Sequence, residues 1–127
     1  MKHWFILLLG IFIIAIDQIA KYAIVRVSAL HVLNRGFSFG IGQYSSGWIF
    51  VVVLFVVWFD AVKHGVRVAD VLLLSGGVSN IIDRLIYRGV LDWIHIWTLW
   101  FNIADISIMS GVLWIFLSSL RTRTSLS

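Results

Sequence analysis

Cysteine and proline are both absent from the 127 residues. Without cysteine there can be no disulfide framework, no thiolate zinc site and no cysteine nucleophile. Glutamate is missing as well, and the six carboxylates are Asp17, Asp60, Asp70, Asp83, Asp92 and Asp105. Helices prefer Glu to Asp on propensity, so an all-aspartate set reads as positions chosen for geometry rather than for a solvated surface. Charge itself is scarce: 13% of residues, against about 25% in an ordinary soluble domain. A soluble globule is therefore excluded. No glycine-rich phosphate loop ending in Lys and Ser or Thr occurs, and no Gly-x-Ser-x-Gly nucleophile elbow. Internal repeats and low-complexity tracts are absent too.

What is present is apolar. Hydrophobic residues make up 61% of the chain and the mean hydropathy is +0.99. The net charge is +4, but the basic residues lie at the ends of apolar runs rather than in one patch, which points to membrane anchoring and away from nucleic acid. A spanning helix needs about 20 residues to cross roughly 30 Å of hydrocarbon. Four segments qualify: Trp4 to Val25, Trp48 to Val62, Val68 to Tyr87 and Phe101 to Leu120, the second short and free to extend either way. A cleaved signal peptide is the rival reading of the first, since Lys2 precedes its apolar run. No Ala-x-Ala site follows, and the helix continues into Asp17 and Lys21. The expectation is one all-α integral membrane domain over residues 1–127, four transmembrane helices with a small extracytoplasmic β-hairpin or cradle, and a polar tail at 121–127.

Four spans put both termini on one side. Lys2, Lys63, Arg67, Arg121 and Arg123 flank that side, and Lys21, Arg26, Arg35, Arg84 and Arg88 the other. If Lys21 and Arg84 pair with acids inside the bundle, the balance favours cytoplasmic termini. The connections differ in kind. Lys63 to Arg67 is a tight turn with Gly65 as its pivot. Arg26 to Gly47 is longer, glycine- and serine-rich, and able to hold a hairpin. From Trp93 to Trp100 apolar residues occupy both alternating faces, which predicts a short extended piece in the membrane interface, where tryptophan is favoured.

Ionisable groups inside spans default to a functional reading, because a charge at the bilayer centre costs at least about 2.5 kcal/mol. Asp17 and Lys21 stand at i and i+4, one face of the first helix; a self-neutralised pair is the plain alternative. Gly76, Asn80, Asp83 and Arg84 form one stripe on the third. Helix packing explains the glycine and the amide, but explains the charged pair less well. In the fourth, Asn102 and Asp105 share a face. An N-cap is the modest reading of Asp105, although Asn102 is the better cap. With Asp92 at the outer end of the third span, acids, amides and an arginine converge at one depth.

Two carboxylates facing each other in a water-poor site cannot both ionise, so one proton is shared. Such a pair holds a base and an acid at neutral pH: one member takes a proton from attacking water while the other hydrogen-bonds the amide carbonyl. This is aspartic-protease chemistry. A non-catalytic or proton- or ion-conducting bundle also uses intramembrane acids and stays open as the alternative. His3, His31, His64 and His95 are scattered without a His-x-x-x-His pair, leaving two acids with His95 as the remaining metal option.

The ordered motifs resemble a known family. Asp17-Gln18-x-x-Lys21, Asn34-x-Gly36-x-x-Phe39, Gly76-Gly77-x-x-Asn80-x-x-Asp83-Arg84, Val90-Leu91-Asp92-Trp93-Ile94 and Phe101-Asn102-x-Ala104-Asp105 are similar, in register, to those of lipoprotein signal peptidase, or signal peptidase II. The resemblance covers almost the whole chain. It implies a bacterial inner-membrane aspartic endopeptidase that removes signal peptides from prolipoproteins just before a diacylglyceryl-modified cysteine. It needs no cofactor or metal, works at the outer face and acts as a monomer, with lipidated substrate and membrane lipid as its partners. Carried over by position, the catalytic pair falls on Asp92 and Asp105. Asn80 and Asn102 would line the site, and Asp83 with Arg84 would brace the third helix. Asn34 and Gly36 would belong to the hairpin above the substrate, with Asp17 and Lys21 supporting its base. Asp60 and Asp70 would take no part. Gly36, Phe39, Trp93 and Trp97 would wall the lipidated residue. The chain departs from the family pattern in a shortened first connection, a tryptophan-rich third one, Ser79 in place of the usual glycine and Trp93 in place of phenylalanine.

Overall fold

The computed structural model describes residues 2–27, 30–36 and 46–124. Phe39 and the rest of the first connection's glycine-rich part lie outside the described residues, as does the end of the polar tail. Four long helices form: α1 (Lys2–Arg26), α2 (Ser46–His64), α3 (Val68–Tyr87) and α4 (Ile103–Thr124). The short strands are β1 (Val32–Asn34), β2 (Val90–Asp92), β3 (Ile94–Ile96) and β4 (Leu99–Phe101). The molecule is thus mostly helical with two small antiparallel pairs. α1 (counted from Trp4) and α4 are each long and apolar enough to cross a membrane by length and composition.

The fold is turned inside out relative to a soluble protein. Its buried apolar set is small: Ile13, Val57, Ala69, Leu73, Val90, Leu91 and Ala104. The buried polar set is larger and includes Asp17, Lys21, Ser79, Asn80, Asp83, Asp92, Asn102 and Asp105. Meanwhile Phe5, Leu8, Phe12, Phe55, Trp58, Leu113 and Phe116 are all exposed. In water an apolar surface that extensive would drive association; against acyl chains it is the expected exterior.

α3 is the central element, packed most extensively on α4, then α1, then α2. Glycine makes the α3–α4 approach possible. A Cβ on Gly76 would strike the Ala104 carbonyl oxygen and come within 2.7 Å of Ile108 Cγ1; one on Gly111 would meet the Ala69 carbonyl oxygen at 2.8 Å. With no hydrophobic force between helices in lipid, such close contact and interhelical hydrogen bonds hold them together. Ser107 Oγ supplies one, donating to the Leu72 carbonyl at 2.7 Å.

Termini are set by local chemistry. Gly65 adopts φ +73° at the end of α2, its N–H returning to Ala61 O. Asp70 opens α3 by accepting from the Arg67 N–H at 2.8 Å, and Arg88 closes it in a left-handed conformation, its N–H on Arg84 O. β1 pairs with β2 so that Val32 faces Asp92 and Asn34 faces Val90. The third connection is a true hairpin rather than a single extended piece: His95 faces Trp100, Ile96 faces Leu99, and Trp97 and Thr98 form the turn. The reason is the two-residue loop, with positive φ at its first position. α4 begins at Ile103, behind Asn102.

Candidate active site

Asp92 ends β2 and Asp105 lies in the first turn of α4; both are buried. Asn102 ties them together. Its Oδ1 accepts the Asp105 N–H at 2.9 Å while Asp105 Oδ2 accepts the Asn102 N–H at 3.2 Å, a reciprocal helix cap. The cap is thus Asn102, the better candidate from the sequence, and Asp105 is its reciprocal partner in the first turn of α4. With its oxygen end fixed, the Asn102 side chain must aim its NH₂ the other way, and it donates to Asp92 Oδ1 at 2.8 Å.

Two more amides are oriented by the same device. The Gly36 N–H occupies Asn34 Oδ1 at 2.9 Å, turning Asn34 Nδ2 onto Asp92 Oδ2 at 3.2 Å. The ammonium of Lys21 occupies Asn80 Oδ1 at 3.2 Å, turning Asn80 Nδ2 onto Asp105 Oδ1 at 3.0 Å. Every one of the four carboxylate oxygens thus receives a neutral N–H from a group whose direction is fixed. Burial, and then the neighbouring Asp105 charge, push Asp92 up to about 7, against the opposing pull of the Asn34 and Asn102 amides and of Lys21.

Beneath this pair lies a charged support. Lys21 bridges Asp17 at 2.6 Å and Asp83 at 2.7 Å, all three side chains essentially inaccessible. Asp17 also accepts from Ser79 Oγ at 2.7 Å and from the Ala104 N–H at 3.0 Å, locking α1 to α3 and to the start of α4. Asp83 accepts the Leu91 N–H at 3.0 Å and so fixes β2 just before Asp92. Asp17 and Lys21 therefore hold α1 to α3 and α4, and through Asp83 they reach β2, the partner strand of β1. Asp83 braces β2, whereas Arg84 is half-buried nearby, within electrostatic reach of Asp105, Asp83 and Asp92.

Residue-type reasoning gave no role to Gln18, whose Nε2 reaches Ser79 O, Ser79 Oγ and Asp83 Oδ1 at 3.1, 2.9 and 2.8 Å. Its place beside Asp17 was the available signal. Ser79, seen only as a replaced glycine, supplies the hydroxyl between Gln18 and Asp17. Asp60 and Asp70 stand apart at the α2–α3 turn. Trp93 is partly buried, and Trp97 is 92% exposed at the hairpin tip. On the outer face of α4 a groove of about 350 Å³ opens beside Asp105, lined by Phe101, Ile106, Met109, Ser110 and Leu113.

Comparison with known proteins gives the family and the fold. The family profile described as signal peptidase (SPase) II matches residues 9–121. A lipoprotein signal peptidase of Methylorubrum extorquens (strain PA1) is 36% identical across 71% of this chain, a match that spans 61% of that relative's length. Its counterpart in Burkholderia cenocepacia (strain HI2424) is 31% identical over 89% of this chain and 86% of its own, and that of Bartonella tribocorum 29% identical over 95% and 90%. The fold is similar to that of a bacterial membrane enzyme solved by the in meso method at 2.3 Å, with a TM-score of 0.82, 24% identity, and coverage of 96% of this chain and 91% of the other.

Proposed function

Because the chain belongs to the signal peptidase II family, we propose that it is an aspartic endopeptidase of the bacterial inner membrane, cleaving signal peptides from diacylglyceryl-modified prolipoproteins before the lipidated cysteine. The observation that carries the reading is the Asp92–Asp105 pair, each acid held by oriented amides and joined through Asn102. With one proton between them, the ionised acid takes a proton from water as its oxygen attacks the scissile carbonyl. The protonated acid donates to the carbonyl oxygen, giving a neutral tetrahedral adduct. On collapse the proton held by the first acid passes to the leaving amine, the adduct hydroxyl returns its proton to the second, and the pair is restored. Water and two carboxylates suffice, so activity should survive exhaustive chelation.

The four helices all cross the bilayer in this reading, with both termini cytoplasmic and the acids near the outer face. Lys21 is buried in its pairs, which removes it from the outer tally of positive charge. The chain works as a monomer. The rival, a proton relay, is disfavoured by spacing. Between Asp70 and Asp83, about 20 Å along α3 at 1.5 Å per residue, the helix carries serines and Asn80 but no titratable side chain.

The test is cleavage of a diacylglyceryl-modified precursor beside an unmodified control, read by mass spectrometry. The expected product is cut directly before the lipidated cysteine, with the control processed far more slowly, since lipid burial at about 0.8 kcal/mol per CH₂ keeps the bond at membrane depth. Proton flux in liposomes without any peptidase activity would favour the rival. Reporter fusions at Gly65 and Ser127 should behave as cytoplasmic and one near Ser45 as external; the reverse would put the acids on the wrong side.

A further inference from the structure

The hairpin β3–β4 is the only covalent link between the two acids, running from Trp93 to Phe101. It holds no charged residue other than what His95 can acquire, and one of its faces carries Ile94, Ile96, Leu99 and Phe101, with Ile96 61% exposed and Leu99, opposite it, 44%. At its tip Trp97 has φ +62° and is 92% exposed. Thr98 does not share the positive φ, so Trp97 occupies the turn position where glycine is the ordinary residue. A bulky side chain there is strained. Among the described residues nothing covers this indole, yet across the ladder His95 stacks on Trp100, ring centres 4.2 Å apart and 8° from parallel.

We propose that the β3–β4 hairpin is a membrane-seated anchor, its Trp97 tip lodged at the boundary between headgroups and acyl chains of the outer leaflet, and that this seat sets the depth of Asp92 and Asp105. The proposal rests on the peptidase reading for its functional consequence only. Two observations name the bilayer as the occupant. The hairpin's apolar face meets α4 at Phe101, which shares that face with Leu99 and Ile96 and lines one groove with Ile106, Met109 and Leu113. Cationic groups stand at the same end: Arg88 is exposed where α3 closes, and Arg26 ends α1 with its guanidinium 4.9 Å from the Tyr22 ring. They suit anionic headgroups, while the tip supplies the amphipathic ring favoured at that level. The hairpin is tied to the site at its base, where the Trp93 N–H donates to Phe101 O at 3.1 Å, so its depth is transmitted to β2 and α4.

The test compares wild type with Trp97→Gly, Trp97→Tyr and Trp97→Asp in phosphatidylethanolamine–phosphatidylglycerol vesicles and in detergent micelles. With acyl chains brominated near the headgroup, the fluorescence lost in Trp97→Gly should be the strongly quenched part of the wild-type signal, and more weakly quenched when the bromines lie near the bilayer centre. In vesicles Trp97→Asp should cleave lipidated precursor at least about fivefold more slowly than wild type, with Trp97→Tyr close to wild type, as an interfacial ring requires. In micelles all three should cleave at the wild-type rate. Unquenched Trp97 fluorescence, or equal rates in vesicles, would overturn the proposal. So would the same loss in micelles, which would place Trp97 in substrate contact instead. If wild type cleaved nothing in either medium the peptidase reading would fall, while the quenching would still report the anchor.

Discussion

Buried aspartates gather at both ends of α3, and they are treated in opposite ways. At its N-terminal end Asp60 takes a two-pronged contact from Arg67, at 2.6 and 3.0 Å, and a third from His64 at 3.1 Å, while Asp70 accepts the Arg67 backbone N–H at 2.8 Å. Every partner lies within ten residues of chain, so this cluster is a staple for one turn. At its C-terminal end the partners come from α1, β1, β2, α3 and α4. There the buried ammonium of Lys21 is spent on Asp17 and Asp83. Asp92 receives amides from Asn34 and Asn102. A carboxylate matched by a cation stays ionised and does structural service, whereas one matched by neutral donors in a dry place can hold a proton. The contrast is the physical ground on which Asp92 and Asp105 are proposed as the reacting acids.

The largest effect that would sharpen this contrast comes from removing the reacting acids. Asp92→Asn and Asp105→Asn should each lower cleavage by roughly 10²–10⁴-fold, the range of general acid–base catalysis, with thermal unfolding in detergent showing a folded protein. Full activity in either purified variant would break the assignment. Next is Lys21→Met, which strands Asp17 and Asp83 without a cation and should cost about 3–5 kcal/mol of stability. It also frees Asn80 Oδ1, so the amide that serves Asp105 loses its orientation and cleavage should fall in parallel. Arg67→Met at the N-terminal end should cost less, roughly 1–3 kcal/mol, and leave cleavage within about twofold of wild type because the turn does not touch the pair. If Arg67→Met lowered the rate as much as Lys21→Met, the two ends would not be independent.

A further effect is on pH. Asp92 in the folded protein sits near 7 rather than at its ordinary 3.8. The shared proton is therefore present below about 7 and lost above it, so cleavage should decline on the alkaline side, approaching tenfold per pH unit. For stability the sign is the same. The unfolded chain releases this proton first, so Asp92's contribution is full below about 3.8 and is lost as pH rises toward 7. A cleavage rate still rising through pH 8 would contradict the shared proton.

Much of this was legible in the residues. Apolar run lengths located the four helices, because a lipid-facing helix needs unbroken hydrophobicity, and the i, i+4 spacing of Asp17 and Lys21 announced their pairing. The Gly76 stripe announced a close helix contact. The hairpin escaped, because its ladder depends on a turn that places tryptophan where glycine is usual, a choice no local propensity favours. The roles within the charged support also escaped: that Lys21 would reach Asp83, and Asp17 the Ala104 N–H, follows from how three helices meet rather than from any spacing along one of them. Asp60 and Asp70 looked idle, yet geometry gives them a staple.

The central claim is that Asp92 and Asp105 hold one proton between them near neutrality. Infrared spectroscopy of the protonated carboxyl band, titrated against pH in wild type, Asp92→Asn and Asp105→Asn, measures it directly. The account predicts a band in wild type that disappears near pH 7, is missing in Asp92→Asn, and disappears at lower pH in Asp105→Asn, where the neighbouring negative charge is gone. A wild-type Asp92 band that vanished in the ordinary carboxylate range, unmoved by Asp105→Asn, would contradict it.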